Sequence, residues 1–94
     1  MNEVAGLDLE KLLASTCRQK IIKAFSECKG KEASVMLLVR KVNGTYTDVN
    51  RNLKILEAEG IITNNYYGRM RIIKLNMQNP KTTLLLQALK TLKG

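Results

Sequence analysis

Residues 45–60, TYTDVNRNLKILEAEG, constrain the fold most strongly, because they carry a helix start, a helix stop and two distinct faces. Thr45 can accept a hydrogen bond from the first helical turn, and Asp48 can bond back to it, as in a capping box. Gly60 supplies the left-handed residue at which many helices end. Spacings of three and four predict one buried stripe, formed by Tyr46, Val49, Leu53 and Leu56.

The opposite face of this predicted helix carries Thr47, Asn50, Arg51 and Lys54, and no carboxylate. Hydroxyl, amide, guanidinium and ammonium groups can donate hydrogen bonds to base edges and phosphates in a DNA major groove. Two interpretations fit this face: a recognition helix, or the solvated side of an ordinary surface helix. The segments on either side decide between them.

The charge of the chain favours an anionic partner. Its 94 residues form one domain (1–94) with 16 Lys and Arg against 8 Asp and Glu, and every acidic residue lies at or before Glu59. A small domain with a net charge of +8 most often binds nucleic acid, and a membrane surface is the rival polyanion. Since no stretch approaches the roughly 20 apolar residues of a spanning helix and no signal peptide is evident, we expect a cytoplasmic protein.

Residues that most enzymes need for acid–base chemistry are scarce. The chain has no His and two Cys, so the commonest general base is missing and too few ligands remain for a zinc site. Neither a paired nucleophile and base nor a phosphate-binding Gly-rich loop is evident. We therefore expect no enzyme activity, no metal and no cofactor.

The N-terminal part predicts helices. Residues 1–6 are expected to fray, residues 7–14 can form a short helix, and residues 16–29 follow helical spacing until Gly30 ends the helix. Its apolar face holds Cys17, Ile21, Phe25 and Cys28.

The two cysteines have two interpretations. They can be small buried hydrophobic side chains, or Cys17 or Cys28 can form a disulfide with a second subunit. A bond between the two is excluded within one helix, because 11 residues at ~1.5 Å rise place them roughly 16 Å apart.

Residues 31–42 predict a further helix with Ser34 as its candidate N-cap. Its inner face is expected to contain Val35, Met36, Leu37, Leu38 and Val42. Residues 43–44, Asn-Gly, then form a tight turn into the central helix. A helix, a short turn and a second helix is a helix-turn-helix layout.

After the central helix the periodicity becomes that of strands. Residues 61–66 and 69–75 are strand-like runs joined by a turn at residues 67–68. Arg69 and Arg71 alternate, so they are expected to share a face near the hairpin tip. This basic, aromatic tip can contact phosphates or a minor groove, or it can merely cover the core. We prefer the DNA interpretation, because the two basic surfaces come from adjacent elements.

Residues 80–94 form the C-terminal helix, with Pro80 in its first turn. Its broad apolar face holds Leu84, Leu85, Ala88, Leu89 and Leu92. Because a small domain has little core left to receive this face, we expect it to pack with the first helices against a second subunit. The alternative is a monomer in which it folds back over the helix at residues 16–29.

This order of elements resembles the winged helix-turn-helix domain of MarR- and ArsR-type transcriptional regulators, especially the short archaeal versions. The likeness rests on Arg18, Ile21 and Ile22 and on TDVNRNLKILEAEGII at 47–62, and it covers roughly residues 7–79. The C-terminal helix is similar to the dimerisation helix of many such proteins. The resemblance implies an α+β winged helix, with a three-helix core and a two-stranded wing, that binds double-stranded DNA as a homodimer. Carried over by position, it implies major-groove contacts from Thr45, Thr47, Asn50, Arg51 and Lys54, and wing contacts from Arg69 and Arg71.

The resemblance does not extend to metal sensing, because both cysteines lie in the first long helix and the chain has no His. In the recognition helix, Arg51 is expected to contact guanine and Asn50 to contact adenine. Lys54 and the two wing arginines are expected to contact phosphates. We expect a sequence-specific transcriptional regulator. The alternatives are a sequence-tolerant chromatin protein and a winged-helix module that binds other proteins.

Overall fold

The computed structural model describes residues 12–93, with side chains for residues 12–91. The helices described in full are α1 (Thr16–Glu27), α2 (Val35–Val42), α3 (Tyr46–Ala58) and α4 (Pro80–Lys93). The strands are β1 (Glu32–Ser34), β2 (Ile62–Tyr67) and β3 (Met70–Leu75). This α+β arrangement is the winged helix-turn-helix fold, so the predicted fold class is confirmed. Leu12 and Leu13 are helical, while residues 1–6 and the rest of the helix expected at 7–14 lie outside the described residues.

Helix α1 begins where the backbone N–H of Arg18 donates to Ser15 Oγ at 3.2 Å. It ends at Glu27, so Cys28 caps the helix, and Gly30, with φ +71°, lies in the following 3-10 turn. Both cysteines are free, half-buried and packed against the core. Their packing favours the interpretation as small hydrophobic side chains, and a disulfide to a second subunit stays a prediction.

A short strand replaces the start of the helix predicted at residues 31–42. Glu32–Ser34 form β1, which pairs antiparallel with β3 and places Ala33 opposite Ile73. The sheet is therefore three-stranded, in the order β1-β3-β2, and the two-stranded wing is its outer hairpin. Three residues are too few to show strand alternation, so the apolar spacing further along the segment dominated the sequence pattern. Ser34 was correctly predicted as the N-cap, because the Leu37 N–H donates to its hydroxyl at 3.2 Å.

The core lies between the sheet and helices α1, α2 and α3. Its largest fully buried side chains include Ile21, Phe25, Leu38, Leu53, Leu56, Ile61, Ile73 and Leu75, joined by Leu85 of α4. Burying each such side chain stabilises the fold by about 1.5–3 kcal/mol. Met36, expected on the inner face of α2, is instead 55% exposed, because Val35, Leu38 and Val42 form the buried face and Met36 lies about 100° or more from each of them around the helix.

Candidate nucleic-acid interface

A sharp turn sets the angle between α2 and α3. Asn43 adopts a left-handed conformation (φ +55°), and its N–H donates to the Arg40 carbonyl at 3.2 Å. The Gly44 N–H donates to the Val39 carbonyl at 3.1 Å, which completes a helix-ending Schellman motif with Asn in place of Gly. A Cβ on Gly44 would lie 3.3 Å from Val42 Cγ2, so the turn has little room for a side chain.

The first turn of α3 projects from the body of the protein. Thr45 caps the helix as predicted, accepting from the Asp48 N–H at 3.1 Å. Residues 45–48 are all exposed, and burial begins at Val49. Tyr46 is 51% exposed, so its predicted place in the buried stripe is wrong, because the first turn extends beyond the core. A projecting helix start is the part of a recognition helix that can enter a groove.

The outer face of α3 presents three of the predicted contact residues together. Thr47, Arg51 and Lys54 are exposed, whereas Asn50 is half-buried. This face is not free of carboxylates as expected, because Asp48 Oδ1 lies 3.5 Å from Arg51 Nη1. Both side chains are mostly exposed, so the ion pair contributes little stability. Arg51 can therefore exchange Asp48 for another anion.

Asn50 is half-buried because it bonds to the wing. Arg71 Nη1 donates to Asn50 Oδ1 at 3.1 Å, and Arg71 Nε donates to Asn64 Oδ1 at 2.8 Å. We call Asn50, Asn64 and Arg71 the α3–wing junction. A bidentate contact from Asn50 to adenine needs both its Oδ1 and its Nδ2, so that predicted contact would first require the bond to Arg71 to break.

The hairpin turn lies one residue later than predicted, at Gly68 and Arg69. Tyr67 pairs with Met70, and Gly68 has φ +64°, as a tight two-residue hairpin turn allows. Arg69 therefore lies in the turn, exposed, and does not share a strand face with Arg71. The structure brings Arg71 to α3 and leaves Arg69 at the tip beside the exposed Tyr67.

Asn52 is a buried polar residue of α3 that the sequence analysis missed. It is 8% exposed, and its Nδ2 donates to the Asp48 carbonyl at 2.8 Å. Ser15 Oγ donates to Asn52 Oδ1 at 3.5 Å, which connects α3 to the N-cap of α1. The sequence did contain a signal for this burial, because Asn52 follows Val49 by three residues and precedes Leu56 by four, which places it on the apolar stripe.

The C-terminal end of α3 is held by the segment that leads into α4. Gly60 (φ +76°) donates its N–H to the Glu57 carbonyl and Ile61 donates to Leu56, both at 2.9 Å, so the predicted glycine stop is confirmed. Asn79 Nδ2 donates to the Gly60 carbonyl at 2.9 Å. Further bonds to this helix end come from Asn76 Nδ2, which reaches the Gly60 carbonyl, and from Lys81 Nζ, which reaches Glu59 Oε1.

Residues 12–93 contain no helix long and apolar enough to cross a membrane. In the same part of the chain, no three His, Cys, Asp or Glu side chains are grouped so that they could hold a metal ion.

Neither a family model nor a protein of curated function matches this sequence. Solved structures do match the fold. The transcriptional repressor BigR from Xylella fastidiosa has a TM-score of 0.76 at 25% identity, over 97% of this chain and 86% of BigR. NolR from Sinorhizobium fredii has a TM-score of 0.77 at 16% identity, over 97% of this chain and 86% of NolR. An ArsR family transcriptional regulator has a TM-score of 0.67 at 16% identity, over 97% of this chain and 88% of that protein.

These matches show the winged helix-turn-helix fold. Among the matched proteins, BigR is a transcriptional repressor and another is a transcriptional regulator of the ArsR family. The ArsR side of the predicted resemblance is supported at the level of fold. The archaeal part of that resemblance stays a prediction.

Proposed function

We propose that this chain is a homodimeric protein that binds a specific double-stranded DNA sequence and regulates transcription in the cytoplasm. The observation that carries the proposal is the projecting first turn and outer face of α3, where Thr47, Arg51 and Lys54 are exposed beside a basic wing. The net charge of +8 favours a polyanionic partner. BigR, with the same fold, is a transcriptional repressor, which supports the same class of role.

The exposed residues divide into base contacts and phosphate contacts by their chemistry and by their position in the fold. Arg51 has a planar fork of donors that fits O6 and N7 of guanine. Lys54, an exposed ammonium on α3, and Arg69, an exposed guanidinium in the hairpin turn, are suited to phosphates, which position the protein without reading sequence. Thr45 and Thr47, at the projecting helix start, offer hydroxyls to the same groove.

The proposed dimer rests on the C-terminal helix. Leu84 is 45% exposed, and Leu86 and Leu89 are only half-buried against the core. Leu84 and Leu86 lie roughly 200° apart around α4, on either side of the buried Leu85. This broad and only partly covered apolar strip fits a second copy of the chain, with α1 and α4 of both copies at the interface. A two-fold axis would then place two recognition helices at half-sites about one helical turn, or ~34 Å, apart.

The decisive experiment selects binding sites from a library of random duplexes and titrates the selected and random duplexes with salt. Sedimentation equilibrium of the same protein gives its mass in solution. We expect a dimer that enriches a palindrome and binds it more tightly than random duplex at each salt concentration.

A dimer that binds all duplexes alike would favour a sequence-tolerant chromatin protein, for which the charge alone suffices. No binding to duplex DNA at low salt would overturn the proposal in favour of a protein-interaction module.

A further inference from the structure

The α3–wing junction has a fixed hydrogen-bond polarity. Arginine carries five N–H donors and no acceptor, so only the Oδ1 atoms of Asn50 and Asn64 can face the guanidinium of Arg71. Each amide is therefore held with its Nδ2 group turned away from Arg71. Among residues 12–91, neither Nδ2 group has a hydrogen-bond partner.

The junction consequently presents donors and a positive charge. The remaining N–H groups of Arg71 and the Nδ2 groups of Asn50 and Asn64 are all donors. Tyr66, which pairs with Arg71 across the hairpin and is 69% exposed, adds a phenolic hydroxyl on the same face. Such a surface complements an anionic oxygen, whereas the edge of adenine presents an acceptor and a donor together.

The α3–wing junction lies between the recognition helix and the wing, and this position indicates which anionic oxygen it contacts. This step rests on the proposed function, in which α3 enters a major groove. It also takes the wing tip to extend toward the neighbouring minor groove, one of the contacts that the sequence pattern allows. Adjacent grooves of a duplex are separated by one sugar–phosphate strand. A protein that reaches both grooves straddles that strand, and the residues between its helix and its wing face a phosphate.

We infer that the α3–wing junction binds one backbone phosphate in each half-site, and that Asn50 serves this contact instead of reading an adenine. Arg71 supplies the charge, while Asn50 from α3 and Asn64 from β2 supply neutral donors on either side. All three side chains are half-buried, and Arg71 bonds to both asparagines. Little side-chain freedom is then lost when DNA binds. The contact fixes the register of the protein on the duplex and carries no sequence information.

The first test compares Asn64→Asp with the matched control Asn65→Asp. Both residues lie on β2 and are half-buried, and both changes lower the net charge equally, but Asn65 is on the opposite face of the sheet. An aspartate at position 64 can still accept from Arg71, yet it replaces a donor with a carboxylate that repels phosphate. We expect N64D to bind a selected duplex about tenfold more weakly than N65D, with a similar ratio on unrelated duplexes. Equal affinities of the two variants would overturn the inference.

The second test neutralises the phosphates of the selected duplex one at a time with methylphosphonates. At one position per half-site, we expect wild-type affinity to fall and the difference between wild type and N64D to disappear. If N64D does not fold, Arg71→Lys takes its place, because it keeps the charge but loses the planar fork of donors. The difference in affinity between wild type and Arg71→Lys should then disappear at the same phosphate position.

The outcomes separate the two proposals. If wild type binds the selected duplex but no phosphate position couples to residues 64 or 71, the junction contact is overturned and the proposed function stands. If Asn50→Ala relaxes preference at one base pair and leaves binding to random duplex unchanged, Asn50 reads a base and the inference is wrong. A wild-type protein that binds no duplex overturns both.

Discussion

Gly60 has a φ of +76°, and a Cβ at this position would lie 2.9 Å from Nδ2 of Asn79. Gly60→Ala must therefore bear a left-handed conformation, at about 1–2 kcal/mol, and must also displace the amide that holds the end of α3. Loss of that hydrogen bond adds about 1 kcal/mol. We expect the free energy of unfolding, measured by urea denaturation, to fall by both amounts.

Gly68→Ala is the matched control for this substitution. Gly68 also has a positive φ, +64°, but a Cβ there would have nothing within 4 Å. Only the conformational part of the loss, about 1–2 kcal/mol, is expected. If the two variants lose the same stability, the contact between Asn79 and the end of α3 contributes nothing measurable.

Alanine substitutions of Arg51 and Arg69 distinguish a residue that reads DNA sequence from one that binds phosphate. Both are exposed, but Arg51 lies on the outer face of α3 and Arg69 in the hairpin turn. On the proposed function, Arg51→Ala should cost roughly 1–3 kcal/mol of binding free energy and relax the preference at one base pair. Arg69→Ala should weaken binding to all duplexes alike. Competition assays with selected and random duplexes measure both effects, and equal losses on both duplexes for Arg51→Ala would contradict its assigned role.

At the scale of elements, β1 can be tested with a pair of glutamate substitutions. Ala33 is 5% exposed, opposite Ile73 in the sheet, whereas Met36 is 55% exposed in the first turn of α2. Ala33→Glu buries an unpaired carboxylate and should cost about 3–5 kcal/mol of unfolding free energy. Met36→Glu places its charge in solvent near a helix N-terminus and should stay within about 0.5 kcal/mol of wild type.

Thermal unfolding followed by circular dichroism gives both values. Residues 33 and 36 would share a face if residues 31–42 formed one helix, since they are three apart. Similar losses for Ala33→Glu and Met36→Glu would therefore contradict the strand and favour the single helix.

Four helix boundaries of this fold were predictable because their signals are local, whereas α1 ends at Glu27 and not at the predicted residue 29. Ser34, Thr45, Gly60 and Pro80 each act within a few residues of their own position, so a short stretch of sequence contains the whole signal. The α3–wing junction has no local signal, because Arg71 meets Asn50 from 21 residues away. For the same reason, the sequence could not predict the bond from Asn79 to Gly60, at a separation of 19 residues, or the pairing of β1 with β3.

At the scale of the whole molecule, α3 is tied to neighbouring elements at its second turn and at its C-terminal end. Asn50 bonds to the wing, and the last turn is held by Asn79 and Lys81 from the start of α4. The proposed DNA-reading helix is therefore connected directly to the helix that we place at the dimer interface. A dimer built through α4 would set the spacing of the two recognition helices through these contacts.

Leu84→Glu tests that dimer. Leu84 is 45% exposed on α4, so a charge there should hardly change the stability of one chain, while it would place carboxylates in an apolar interface. We expect sedimentation equilibrium to show monomers, and binding to a palindrome to fall toward that of a single half-site. The matched control is Thr83→Glu, which adds the same charge at the neighbouring exposed position of α4. If Leu84→Glu and Thr83→Glu leave the same mass in solution as wild type, the exposed strip of α4 is not the interface. A wild-type monomer would mean instead that α4 only covers its own core.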